Sequence, residues 1–443
     1  MARSALLPLS RLAGRVAQAQ PSELRGVMLA FSCNFILLAS YYILRPLRDT
    51  MATVFGVAQL QDLFTGTFVI TLVCAPIFAW SAANIRLTRL LPGVFWFLLL
   101  DLLLFYGLFR TIPGDRWTAA AFYLWFSVVN LFLISIFWTL MADTFSPDQA
   151  TRLFAFIAAG GSVGAIFGPI ITTAFVRTIG IAGLLLMACA GFLIVIVLVH
   201  LLMREKTQLQ KAGTGAQGTT LDHNLPGNPL RGFTLLFQSR YLLGQAGFFL
   251  LMTWVATLLY FLQADFVART YSAVESRAIA FADVDLFVNI CSAVILILGQ
   301  GWLLRRFGVT FGLVLSPILM AGAFVVLALA PTFLVVQSAR ALQRISQYAV
   351  ARPSREILFT VVDQQSRYKA KNVIDTSVYR FGDLTAAWMQ AGLRGAGFGL
   401  LVVAGFGALV AVAWGIVALL IGRRYQMLAG RAQAAIIERP MEV

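Results

Sequence analysis

Tyr41-Tyr42-Ile43-Leu44-Arg45-Pro46-Leu47-Arg48-Asp49 places two guanidiniums and a carboxylate inside, or just beyond, an apolar run that begins near residue 26. An ionised side chain near the bilayer centre costs about 2.5 to 3.5 kcal/mol on insertion scales, so it normally faces protein or a wet cavity with a partner at hand. Two readings follow. Either the stretch is half of an anion site in a transporter, or Arg45 and Arg48 reach an interface and hold lipid headgroups. Pro46 weakens the helix beside Arg45, which favours the site.

Composition places the stretch in a membrane protein. The chain has 443 residues, of which 60% are hydrophobic and 12% charged, against about 25% charged in a soluble domain. A net charge of +15 would suggest nucleic acid in a soluble chain. Here the basic residues sit in short loops between apolar runs, which is the orientation signal of a bacterial inner membrane protein. Residues 1–24 are basic without a continuous apolar core and cleavage site, and read as a cytoplasmic lead. Cys33, Cys74, Cys189 and Cys291 lie far apart within apolar runs and suit neither a disulfide framework nor a metal site. With only two histidines, His200 and His223, a histidine metal centre is not expected.

Runs of about 20 residues, long enough to span, fall near 26–47, 62–84, 90–110, 118–142, 153–177 and 181–203, and again near 241–264, 279–303, 308–330, 332–351, 377–397 and 399–422. The polar segment 204–238, with Ala212-Gly213-Thr214-Gly215-Ala216-Gln217-Gly218, reads as a flexible linker. Placing both termini inside puts most of the 34 basic residues, and the linker, in the cytoplasm. The expected fold is an all-α membrane protein of twelve transmembrane helices in two six-helix halves, 1–203 and 239–443. That is the parallel-repeat plan of the major facilitator architecture. Weak internal likeness supports a repeat: Trp138 to Asp143 with Arg152 beyond it resembles Phe359 to Asp363 with Lys369 and Lys371 beyond it.

In that plan the first, fourth, seventh and tenth spans line the cavity. On the tenth, Arg340, Arg344 and Gln347 recur at helical spacing, a face that cannot look at lipid. With Arg45 they offer planar donor forks suited to a phosphate or carboxylate. Alternatively, Arg340 or Arg344 pairs with an acid on a neighbouring helix. Among the acids, Asp265, Asp283 and Asp285 suit either coupling or an outer rim, and Asp101 suits a structural salt bridge. Residues 367–383 interleave Lys369, Lys371, Asp375, Arg380 and Asp383 too closely for a lipid face, so the segment belongs at the cytoplasmic face or the cavity mouth. Gly160, Gly161, Gly164 and Gly168 on the fifth span allow close helix packing. No strand precedes them and no Lys-Ser/Thr follows, so they are not a nucleotide-hydrolysing loop. Enzymatic function is not expected.

The segment 367–383, Leu44-Arg45-Pro46-Leu47-Arg48-Asp49-Thr50, and Ala142-Asp143 followed by Asp148-Gln149-Ala150 and Leu153-Phe154 together resemble the ATP:ADP antiporter family. Lys369-Ala370-Lys371-Asn372-Val373-Ile374-Asp375 is the most specific piece, and the likeness covers most of the chain. It implies a twelve-span carrier that exchanges anionic nucleotides, with basic residues of the first and eleventh spans on the phosphates. Arg48 stands where those translocases tend to show a Lys before Asp, and Lys371 stands in the late basic motif. Tight loops and the Arg45-Pro46-Leu47-Arg48 pattern depart from the nucleotide carriers and place the chain nearer their bacterial relatives. Gly164 with Gly168-Pro169 also looks like the glycine-proline motif of facilitator antiporters.

The expectation is therefore a secondary carrier working by alternating access, monomeric, without cofactor, metal or nucleic acid, whose partners are the bilayer and a small anion. Substrate contacts are expected at Arg45, Arg48, Arg340, Arg344 and Lys371. Coupling or gating is expected at Asp49, Asp143, Arg152, Asp265, Asp285, Asp375, Arg380 and Asp383. The alternatives are a proton-coupled exporter of another solute leaning on Asp265 or Asp285, and a non-transporting receptor on the same fold.

Overall fold

The computed structural model of the chain describes residues 19–84, 87–211 and 231–437, and these are helical apart from short connections. The helices are α1 (Leu24–Phe55), α2 (Leu60–Asn84), α3 (Leu87–Thr111), α4 (Arg116–Thr144), α5 (Pro147–Lys211), α6 (Arg231–Gln238) and α7 (Arg240–Thr270). They continue as α8 (Val274–Val294), α9 (Gln300–Leu329), α10 (Phe333–Ser346), α11 (Arg352–Leu358), α12 (Gln364–Val373), α13 (Tyr379–Gly395) and α14 (Leu400–Ile437). Three π-helical turns, Ile295–Gly299, Gln347–Ala351 and Ile374–Val378, join α8 to α9, α10 to α11 and α12 to α13. Two glycines at positive φ, Gly180 (70°) and Gly308 (79°), bend α5 and α9, a backbone conformation that side chains other than glycine adopt only with strain. Divided at these bends and joined at the π turns, the described helices make twelve long segments plus the short α6.

Among the described residues, eight helices are apolar and long enough to cross a membrane by composition, two of them the bent pairs. The rods that fall short are α10–α11 and α12–α13, which carry Arg340, Arg344, Lys371, Arg380 and Asp383. Two boundaries differ from the sequence reading. Helix α5 runs on to Lys211, and α6 occupies 231–238, so both ends of the expected flexible linker are helical; residues 212–230, with the glycine-rich run, lie outside the described residues, as does most of the lead 1–24.

The chain clusters into two units. One holds Met1–Gly56, Val69–Leu225 and Tyr271–Leu286; the other holds Val57–Phe68, Pro226–Thr270 and Phe287–Val443. In the first unit α1 and α5 form the most extensive helix pair. A Cβ on Gly160, Gly164 or Gly168 would come within 2.6, 2.2 and 2.6 Å of the carbonyl oxygens of Phe31, Phe35 and Ala39, so these glycines let two backbones touch. Leu37, Leu44, Leu47, Phe95, Phe122, Phe126 and Phe192 fill the core around that contact. In the second unit α9 and α14 pack closely, with the Phe324 ring against Gly407, and the Phe248 and Trp414 rings are 5.5 Å apart. The start of α2 joins this core through Phe64, 5.3 Å from Phe261.

Candidate functional site

In the first unit the site grows from α1. Pro46 has no N–H for the Tyr42 carbonyl, yet the helix runs on through it. Arg45 emerges toward α8, its Nε 3.8 Å from Asp285 Oδ1, with the two side chains 13% and 2% exposed. Its Nη1 donates to the Tyr42 hydroxyl at 3.5 Å, and its guanidinium lies 5.5 Å from the centre of that ring. Arg48 donates from Nε to the adjacent Asp49 carboxylate at 2.9 Å and lies over Tyr123 at 5.1 Å. Tyr41 stacks on Phe126 at 5.2 Å, closing an aromatic wall behind the two arginines. The start of α8 is held by polar contacts: Arg277 Nη1 donates to Thr53 at 3.2 Å, and Thr173 donates to Asp283 at 3.2 Å.

In the second unit Arg340 donates to the Ala256 carbonyl at 3.0 Å and to Gln343 Oε1 at 2.8 Å, and lies over Tyr260 at 5.6 Å. Gln343 passes the chain on to Gln347 Oε1 at 2.7 Å. The polar strip thus runs Arg340, Gln343, Gln347, while Arg344, buried at 5% exposure, lies over Tyr348. On α13, Arg380 lies 3.7 Å from Asp383, whose other oxygen accepts from Thr257 at 2.9 Å. Four arginines, Arg340, Arg344, Arg380 and Arg394, and one aspartate, Asp383, lie on α10 and α13, a formal excess of positive charge. Asp265, by contrast, pairs at 2.9 Å with the exposed Arg269 one turn on, away from these groups.

The remaining candidates sit at helix ends. In the first unit Arg152 pairs with Glu23 at 3.1 Å, Gln149 donates to the same carboxylate at 2.9 Å, and Asp143 pairs with Lys206. Burial raises the Glu23 carboxyl, but the Gln20 amide, Gln149 and Arg152 outweigh it and hold it below its ordinary 4.5. In the second unit Arg355 bridges Asp375 at 3.0 Å and Glu356 at 3.2 Å, and Lys371 also binds Glu356. Burial pushes the Asp375 carboxyl up despite Arg355 and Lys371; at Glu356 burial acts the same way, and Lys371 and Arg355 more than reverse it. Among the charged candidates, then, the structure brings together Arg45 with Asp285, Arg48 with Asp49, and Arg380 with Asp383.

Sequence reasoning misses Glu23, Lys206, Arg277, Arg355 and Glu356. Arg355 carried a signal: it continues the helical spacing of Arg344 and Gln347, but beyond residue 351, where the apolar run ends. Asp101, expected in a salt bridge, instead accepts the Trp125 indole N–H at 2.8 Å.

A family model described as the Major Facilitator Superfamily matches residues 30–351. The chain belongs to this superfamily. It is a transporter of the facilitator type, not an enzyme. Among curated proteins, ADP,ATP carrier protein 1 of Chlamydia pneumoniae is 21% identical over 462 residues, covering 87% of this chain and 88% of that one. Among solved structures, the nucleoside transporter NupG superposes with a TM-score of 0.63 at 13% identity, covering 90% of this chain and 99% of that one. A POT family transporter in complex with 5-aminolevulinic acid gives 0.62 at 14% identity, covering 90% and 96%. At these identities the superpositions speak to the facilitator fold alone.

Proposed function

We propose that this facilitator exchanges anionic nucleotides of the ATP/ADP type by alternating access. The observation that carries the reading is the set of arginines on helices of each unit, Arg344 buried and the others half-buried: Arg45 and Arg48 on α1, Arg340 and Arg344 on α10, and Arg380 on α13. A guanidinium in hydrocarbon is expensive, and a planar fork pairs bidentately with phosphate better than with most solutes. A polyphosphate offers several acceptors for such forks, and its charge offsets the cost of holding them in hydrocarbon. The distant likeness to the chlamydial ADP,ATP carrier supports the same solute. Lys371, tied to Glu356, serves the phosphates from the mouth of the second unit, and Asp143, Arg152, Asp375 and Asp383 act in gating. The protein works as a monomer in a bacterial inner membrane with both termini cytoplasmic.

Counter-exchange tests the reading. In proteoliposomes loaded with ADP, labelled ATP uptake requires internal nucleotide and does not depend on an imposed pH gradient. Absence of uptake by folded protein overturns the nucleotide assignment.

A further inference from the structure

We propose that Asp285 is a built-in competitor for the transported anion at Arg45. This rests on the nucleotide-exchange reading and specifies what Arg45 does while no nucleotide is bound. The two arginines of α1 are neutralised in different ways. Arg48 uses Asp49, its neighbour on the same helix, so that pair persists wherever α1 goes. Arg45 faces a carboxylate on another helix, α8, and at 3.8 Å the attraction is one of charge rather than of a hydrogen bond. Asp285 is 1% exposed, and so deeply buried a carboxylate keeps its charge only beside a cation. A phosphate oxygen carries the same sign as Asp285 and, unlike it, can seat on the guanidinium fork in two parallel hydrogen bonds.

The two anions exclude one another. In the empty carrier Asp285 neutralises Arg45. When phosphate takes the guanidinium, the buried Asp285 loses its cation, a cost that weakens binding and hastens release. Asp285 is a positioning residue in this sense: it acts on the anion through Arg45. It also ties occupancy to α8, whose start is otherwise held to the first unit by the Arg277 to Thr53 and Thr173 to Asp283 bonds.

The test uses the full chain purified in detergent, with pyrophosphate as the general probe and ADP as the specific one, followed by exchange kinetics in liposomes. Asp285→Asn is expected to bind both probes about fivefold or more tighter than wild type, the scale of a coupled charge site. Its exchange is expected to show a lower KM together with a lower kcat, and Asp285→Glu to restore wild-type values. With the Asp285 charge removed from beside Arg45, empty Asp285→Asn is expected to melt below wild type and to gain more from added pyrophosphate. If it proves too unstable to purify, Arg45→Ala/Asp285→Asn replaces it and is expected to bind no tighter than Arg45→Ala alone. Unchanged or weaker binding by Asp285→Asn, or a double variant that binds tighter than Arg45→Ala, overturns the competitor role. A wild-type protein that binds pyrophosphate but not ADP discards the nucleotide reading and leaves the comparison of variants in force. Binding of neither probe by folded wild type overturns both.

Discussion

A guanidinium inside a membrane protein stabilises little by itself, because desolvation roughly cancels its attraction to a partner; removing one partner costs about 3 to 5 kcal/mol by stranding the other. Arg45 and Arg344 are therefore expected to be kept for what they bind. Arg45→Ala and Arg344→Ala are each predicted to abolish nucleotide exchange in liposomes while the protein still purifies as a monodisperse species. Wild-type exchange in both would remove the arginines from the site. Arg340→Lys tests geometry: its guanidinium reaches the Ala256 carbonyl and Gln343 together. Both bonds leave from one nitrogen, Nη1, and an ammonium spent on the same two acceptors has no planar edge left to offer a phosphate, so KM is predicted to rise in counter-exchange assays with expression unchanged. At this scale the cations are legible in sequence, because each interrupts an apolar run. Their partners are not. Asp285 meets Arg45 across 240 residues of sequence, and Glu23 meets Arg152 only through packing of α1 on α5.

Among elements, the α1–α5 pair depends on bare backbone. Gly164→Val would drive side-chain atoms into the Phe35 carbonyl, which a Cβ alone approaches to 2.2 Å. Overpacking of this kind costs about 1 to 3 kcal/mol, and the melting temperature in detergent is predicted to fall by several degrees; an unchanged melting temperature would contradict the contact. The same pair is pinned at its end by Glu23, Gln149 and Arg152. Because the folded Glu23 carboxyl titrates below its ordinary 4.5, its contribution is fully present above that value and is lost as pH falls through the lowered one. The melting-temperature advantage of wild type over Glu23→Gln is thus predicted to be constant from pH 8 to about 5 and to shrink in more acid buffer. Apolar periodicity makes nearly all of these helices readable. It stops short at α10–α11 and α12–α13, whose charged residues interrupt the apolar run, and it misses the π turns.

For the whole molecule, the superfamily accounts for two helical units and a transport function, and the residues must account for the solute. Helices α10 and α13 carry Arg340, Arg344, Arg380 and Arg394 against Asp383, a formal excess of positive charge. On the proposed exchange reading, a carrier with such an excess is expected to move while loaded with an anion, and net flux of the unloaded carrier is expected to be disfavoured. The most direct test is efflux of labelled ADP from proteoliposomes into buffer with and without external ATP, at matched pH. The account predicts rapid efflux only when external ATP is present. Equal efflux into nucleotide-free buffer, or efflux driven by a proton gradient alone, would contradict it.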